Sequence, residues 1–301
     1  MSAAHAAASE AMVDGVLLLD KPVGPSSNAV LQQAKRLLGA ARAGHTGTLD
    51  PLASGLLVIS VGEATKFSGE LLDADKAYRA RLKLGERTST GDAEGEVTAR
   101  SEVAVAREQI VTVLERFRGE TQQVPPMHAA IKHEGRPLYA YARNGEHVSR
   151  VPRRIMIRRL DLESFHGDAA VLQVECSKGT YVRVLAEDIG AALGCGAHLA
   201  GLERTAVGPF ALGDAIGLDE LGSMPLPERR GQLLPPEVLL APRPRLALDA
   251  ELAAKFRHGR AVPVSSPSGT VGVFARDGTF LGTGEVDTDS VLRPKRLLSL
   301  R

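Results

Sequence analysis

The chain of 301 residues has no tryptophan, seven phenylalanines and four tyrosines. So few rings leave little that can stack on a flat ligand, and each tyrosine gains weight as evidence. Cysteine is almost missing: Cys176 and Cys195 form no C-x-x-C unit and cannot build a zinc site by themselves. A disulfide scaffold is thereby excluded, and a reducing, cytoplasmic setting is expected. The longest apolar run, Leu138 to Ala142, is five residues, against the ~20 that span a bilayer, so no membrane partner is expected. Neither charge sign dominates, with 37 Lys and Arg against 36 Asp and Glu for a net charge of +1. The chain also lacks G-x-x-x-x-G-K-[ST], H-E-x-x-H and G-x-S-x-G. The usual handles of nucleotide hydrolysis, zinc proteolysis and serine hydrolysis go with them.

What is present fits a soluble globular protein, with 44% hydrophobic and 24% charged residues. The length allows one large domain, or a large one with a small one. The first twelve residues are Ala-rich without a basic start, which reads as a frayed tail over 1–12. Gly15 to Asp20 reads as a short strand. A helix follows, with Val30, Leu31, Ala34, Leu37 and Leu38 on one face, Ser27 as its N-cap and Gly39 past its end. Leu56 to Val61, Lys76 to Leu84, Arg154 to Phe165 and Val171 to Cys176 carry strand patterns. Ile110, Val111, Leu114 and Phe117 mark a second helix stopped by Gly119, and Thr180 to Leu193 a third with Gly194 at its end. Strands and helices are interspersed without a repeated βαβ spacing, so an α+β fold with a mixed, mainly antiparallel sheet flanked by helices is predicted.

From Leu212 to Arg245 the chain turns Pro-rich and acidic, as a linker or a wrapping segment would. Beyond it, strand patterns at Ala261 to Val264, Thr270 to Ala275 and Thr279 to Val286 predict a small β-rich, barrel-like domain over 246–301, after a main domain over 13–245. Charge is uneven along the chain. Between Lys132 and Arg159 there are eight Lys or Arg against Glu134 and Glu146, whereas five acids crowd Asp214 to Glu237. A charge run is ordinarily a solvated face; beside nucleic-acid motifs it reads as a phosphate-binding surface.

The most informative stretch is Gly44-His45-Thr46-Gly47-Thr48-Leu49-Asp50-Pro51, closed by Gly55. Glycines around one Asp, with Pro behind it, describe a tight exposed loop that presents a carboxylate near an imidazole. The string resembles the catalytic loop of the TruB family of tRNA pseudouridine synthases, G-H-x-G-x-L-D-P, at every fixed position. Further motifs follow in the family's order: Asp20-Lys21-Pro22, Lys76-Ala77-Tyr78, Gly179-Thr180-Tyr181-Val182-Arg183 and His198-Leu199 to Arg204. Gln123 to Arg143 is similar to the family's mobile RNA-clamping insertion, about 120–150. The carboxy-terminal pattern resembles a PUA domain, a small RNA-binding β-barrel. His128, Ala129 and Glu203 depart from the family pattern, and all three are expected on the RNA-facing surface, away from the reaction centre.

The resemblance implies a pseudouridine synthase fold and cofactor-free, metal-free isomerisation of uridine at position 55 of the tRNA T loop by a cytoplasmic monomer that also assists tRNA folding. It implies Asp50 as nucleophile, Arg183 as its cationic partner, and Tyr78 as the ring that stacks on the base and accepts a proton. His45 would fill the gap left by the extruded base, Leu202 would pack beneath that base, and Tyr181 and Lys21 would complete the substrate site. Lys21 could equally be structural. Two other readings remain at this point: an RNA-binding protein without catalysis, which has no need of Asp50, Arg183 and Tyr78 together, and a nucleoside or glycoside hydrolase. The second normally sets another carboxylate across the bond, and none accompanies Asp50 in its loop.

Overall fold

A computed structural model describes residues 13–299 apart from 130, 147 and 242. The expected tail over 1–12 lies outside the described residues. Main-chain pairing builds one large mixed sheet, ordered Ile216–Gly217, Gly15–Lys21, Ala53–Val61, Ala197–Val207, Lys76–Leu84, Ala169–Cys176, Arg153–His166 and Gly119–Gln123. Only two of these contacts are parallel, Gly15–Lys21 with Ile216–Gly217 and Ala53–Val61 with Ala197–Val207. The predicted α+β class and largely antiparallel sheet are therefore what the chain adopts.

Alternation explains the packing. In the first strand Leu17 and Leu19 turn to one face, against Val30, Leu31, Ala34 and Leu38 of the Ser27–Leu38 helix. Val16 and Leu18 turn to the other, against Phe67, Leu239, Phe274 and Phe280. A strand covered on both faces reads as a continuous apolar run, which is why this segment lacks the clean alternation of Lys76–Leu84. Farther along the sheet, Ile110, Val113 and Leu114 of the Arg107–Glu115 helix and Val182, Leu185 and Ile189 of the Val182–Ala192 helix cover a third apolar cluster.

Two sequence expectations change, and a third, left between two alternatives, is resolved. The cap of the first helix is Ser26, whose hydroxyl accepts from the Ala29 amide at 3.2 Å; Ser27 is the first helical residue and is buried. The third helix starts at Val182, with Tyr181 as its N-cap residue. The Pro-rich segment is a wrap rather than a linker: Ile216, Leu218 and Leu221 join the core beneath the first helix, and Leu234 exchanges backbone hydrogen bonds with Val16. Its short helices, Leu218–Ser223 and Leu226–Gly231, carry too few turns to show a period.

The carboxy-terminal sheet runs Arg245–Leu248, Gly269–Ala275, Phe280–Val286, Val291–Leu297 and Val262–Pro263, with a helix at Ala250–Arg257. Its first and last strands do not pair with each other, so the predicted barrel is open. This sheet shares a core with the large one, since Phe274 and Phe280 join Val16 and Leu18 in one apolar cluster, where Phe280 packs tilted against Phe67 with centroids 5.2 Å apart. Charge reinforces the junction: Lys66 donates to the Leu297 carbonyl at 2.9 Å, and buried Glu63 accepts from the Ser299 amide at 2.8 Å.

Candidate active site

Segments far apart in sequence meet at a cavity of about 330 Å³. One wall is the glycine-rich loop, Thr46 to Asp50, and its shape is imposed from below. The Ser27 hydroxyl donates to the Leu49 carbonyl and accepts from the Leu49 amide, each at 2.8 Å. The Lys21 ammonium, fully buried, donates to the carbonyls of Ala53 at 2.7 Å and Pro22 at 2.8 Å. In this position it braces the loop from beneath, and burial lowers its pKa despite the nearby Asp50 charge. Where the loop leaves as a strand, Gly55 has φ +99°, and a Cβ there would run into the Arg204 backbone.

The Ala197–Val207 strand lies between the strand that follows this loop and Lys76–Leu84. Leu202 faces Ala53 on one side and Ala80 on the other; Arg204 likewise faces Gly55 and Tyr78. Leu202, Tyr78 and Arg204 thus reach the same cavity, joined by Tyr181 and Arg183 from the start of the third helix. An exposed arginine would have been the ordinary reading of that helix position, but Arg183 is buried. Its guanidinium approaches Asp50 Oδ2 at 3.1 Å and Asp92 Oδ2 at 3.2 Å, and donates to the His128 carbonyl at 3.2 Å. The Asp50 side chain keeps 45% of its surface open, whereas that of Asp92 keeps 3%. One carboxylate is therefore presented to a ligand and the other is structural.

Asp92 was not found by sequence reasoning. Its carboxylate accepts from the Thr90 hydroxyl at 2.5 Å and the Glu94 amide at 3.1 Å, contacts within a polar turn that no motif singles out. Gln123 was missed too. Its side-chain amide clasps Tyr181, accepting from the backbone amide at 2.8 Å and donating to the carbonyl at 3.1 Å, so the root of the insertion is tied to the cavity wall. Burial raises the Tyr181 phenol pKa, against the pull of Arg153 and Arg183. His45 sits one residue before the lining segment, half-buried on the Ala43–His45 strand. Burial and the Arg204 charge lower its pKa and favour the neutral ring. Among the departures, only Glu203 lies away from the centre, beside Arg79 and Arg81 in a separate groove. His128 and Ala129 line the cavity itself, because the insertion folds over its rim.

The basic tract is less free than its count implies. Arg136 pairs with Glu146, Arg154 with Glu120, Arg158 with Asp75 and Arg159 with Asp161. The acids come from neighbouring strands and turns rather than from 214–237. Arg153 is exposed, with no carboxylate among the described residues in ion-pair contact. No three His, Cys, Asp or Glu side chains among the described residues cluster as metal ligands would. No described helix is long and apolar enough to cross a membrane.

Family models match most of the chain, from residue 35 to residue 298. Residues 35–182 match the TruB family pseudouridylate synthase N-terminal domain, residues 183–241 the tRNA pseudouridylate synthase B C-terminal domain, and residues 244–298 the pseudouridine synthase II TruB C-terminal region. The chain is 54% identical over 291 residues to the tRNA pseudouridine synthase B of Dechloromonas aromatica (strain RCB), covering 96% of each. It is 53% identical over 289 residues to that of Azoarcus sp. (strain BH72), again covering 96% of each. Among solved structures, a chain of a Cbf5-Nop10-Gar1 complex superposes with a TM-score of 0.72 at 27% identity, over 94% of this chain and 84% of that one. A likeness of this depth, carried from one end of the fold to the other, is descent rather than shared architecture: the chain belongs to the TruB family of pseudouridine synthases, which are isomerases.

Proposed function

We propose that the protein converts uridine to pseudouridine at position 55 of the tRNA T loop, with Asp50 as the nucleophile. The observation that carries this reading is the Arg183 guanidinium held between an open Asp50 and a closed Asp92. A carboxylate facing a closed pocket needs a cation to stay anionic once water leaves. Arg183 contacts Asp50 through Oδ2, which leaves Oδ1 to act at the sugar–base junction. Asp92 keeps the guanidinium from swinging away and, at 3% exposure, cannot activate a water as a hydrolase would require. The reaction balances internally: the N1–C1′ bond breaks, a C5–C1′ bond forms, the C5 proton is given up and N1 gains one. No electron donor enters, so the reaction needs no redox cofactor. Attack at C1′, attack at C6 and a glycal route share the same aspartate.

Tyr78 would stack on the extruded base and take its proton, with Leu202 beneath the base and Tyr181 beside it, a reading supported by the cavity that all three line. His45, neutral and at the entry to the loop, suits stacking in the gap left by the base, whose extrusion costs a few kcal/mol. Residues 13–245 would carry catalysis, with the insertion over about 120–150 closing on the RNA, and 246–301 would act as a PUA-like RNA-binding unit. A cytoplasmic monomer whose partner is tRNA, and which also assists tRNA folding, completes the proposal. Relatives named tRNA pseudouridine synthase B support the substrate class. The test is carbodiimide-based pseudouridine sequencing of tRNA incubated with purified protein, beside an assay for free uracil. Pseudouridine at position 55 without uracil release is expected; released uracil would mean a hydrolase, and tight binding with no modification a binding protein.

A further inference from the structure

We infer that Arg204 is a positioning residue for proton transfer, holding the Tyr78 hydroxyl and the floor of the Asp50 loop in one working arrangement; this rests on the reading of Tyr78 as proton acceptor. Arg204 is 2% exposed and lines the same cavity as Tyr78 and Asp50. Its Nε donates to the Leu56 carbonyl at 2.7 Å, and one terminal nitrogen donates to the Gly47 carbonyl at 3.1 Å. These two contacts pin the guanidinium to both sides of the catalytic loop. Across the strand pair it faces Tyr78 directly, and its charge lowers the pKa of the phenol.

No described carboxylate forms an ion pair with Arg204, in contrast to Arg183 with two. A buried guanidinium satisfied by backbone carbonyls and no carboxylate is expensive, and an apolar side chain of like volume would fill the space at lower cost. The arrangement makes sense if an anion appears beside it during turnover. A phenolate at Tyr78 is such an anion. Proton transfer from C5 to the phenolate oxygen leaves the C–H electron pair on the base and yields neutral phenol, which then releases its proton to water.

The charges around Tyr78 oppose one another. Burial raises its pKa, Arg204 lowers it, and Cys176 and Asp50 raise it. Lys76 and Arg183 also line the cavity, and His45 faces the same Arg204 charge. Arg204 is the cation that faces Tyr78 across the strand pair and its charge lowers the phenol pKa, so removing it should move the tyrosine titration upward.

The chain has no tryptophan and four tyrosines, so tyrosinate absorbance can be followed without indole background, and the difference from Tyr78→Phe isolates one ring. The experiment compares wild type, Arg204→Gln and Arg204→Lys in this titration and in the pH profile of single-turnover isomerisation of a T-arm stem-loop. Arg204→Gln should move both the Tyr78 midpoint and the rising limb of the rate to higher pH by about one unit or more, with RNA affinity changed little. Arg204→Lys, which retains a charge without the fork, should recover part of the shift. A rate lowered equally at every pH, with an unmoved Tyr78 midpoint, would overturn the proposal and leave Arg204 a structural residue. Should Arg204→Gln not fold, Arg204→Lys decides by the same midpoint. A Tyr78→Phe chain that keeps the wild-type limb would instead refute the reading of Tyr78, a different outcome from an Arg204 variant that fails to move it.

Discussion

Ser27 holds Leu49 by two hydrogen bonds of 2.8 Å, one to the carbonyl and one from the amide. The helix start thereby fixes the backbone one residue before Asp50, with no direct contact to the cavity. Ser27→Ala would leave a buried amide and carbonyl unpaired, a cost of about 1–3 kcal/mol. The expected result is a lower melting temperature and a single-turnover rate down by about tenfold, with RNA affinity little changed. Equal rates in the two chains would show that the loop keeps its shape without this clasp.

Asp50→Asn should bind RNA and lose isomerisation by at least about a thousandfold, because the near-isosteric amide carries no negative charge. Asp92→Asn should be intermediate, since it frees Arg183 without removing the reacting group. Combining Asp92→Asn with Arg183→Ala should cost little beyond Arg183→Ala, because the two act as one unit. Fully additive losses in stopped-flow single turnovers would mean that Asp92 works independently of Arg183.

Salt dependence of tRNA binding should distinguish paired from unpaired cations within the basic tract. Arg153→Ala should make the slope of log affinity against log salt shallower by about one. Arg158→Ala should barely alter it, since Arg158 is already held by Asp75 at 2.5 Å. Titrations at several salt concentrations with equal effects from both would place the RNA on another face.

Glu63 predicts how the carboxy-terminal sheet responds to acid. Burial raises its pKa, but Lys66 and the backbone and hydroxyl of Ser299 lower it further, from 4.5 to about 2. A folded-state pKa below the unfolded one adds stability that is complete above the unfolded value, and this stability is lost as pH falls from 4.5 toward 2. Glu63→Gln should cost on the order of 2 kcal/mol at pH 7 and flatten stability between those limits. Denaturant melts that run parallel to wild type across this range would contradict the role of Glu63 at the junction.

Deleting 246–301 should leave an aggregating chain, because it removes Phe274 and Phe280 from the core they share with Phe67, Val16 and Leu18. A Pro-rich linker would have permitted a clean cut; the shared core does not. A soluble, monomeric truncation with native circular dichroism would refute this.

Local chemistry decided what could be read from the sequence. The loop from Gly44 to Pro51 announces a presented carboxylate because glycine and proline act on their own backbone torsions. Lys76–Leu84 and the long helices declare themselves because burial on one face leaves a period. Those signals led to the family, the fold class, Asp50, and the other motif residues. Only the tertiary structure could bring Asp92 to Arg183, pin Arg204 between Gly47 and Leu56, or pair Arg158 with Asp75. The partners of Arg183 and Arg158 come from distant segments, and an ion pair between such segments leaves no pattern in either one. Neighbouring residues determine a torsion or a period; they do not determine which charge is neutralised. That depends on where the sheet places the other half of each pair, and so the number of free cations and the fate of each buried charge were decided by the fold.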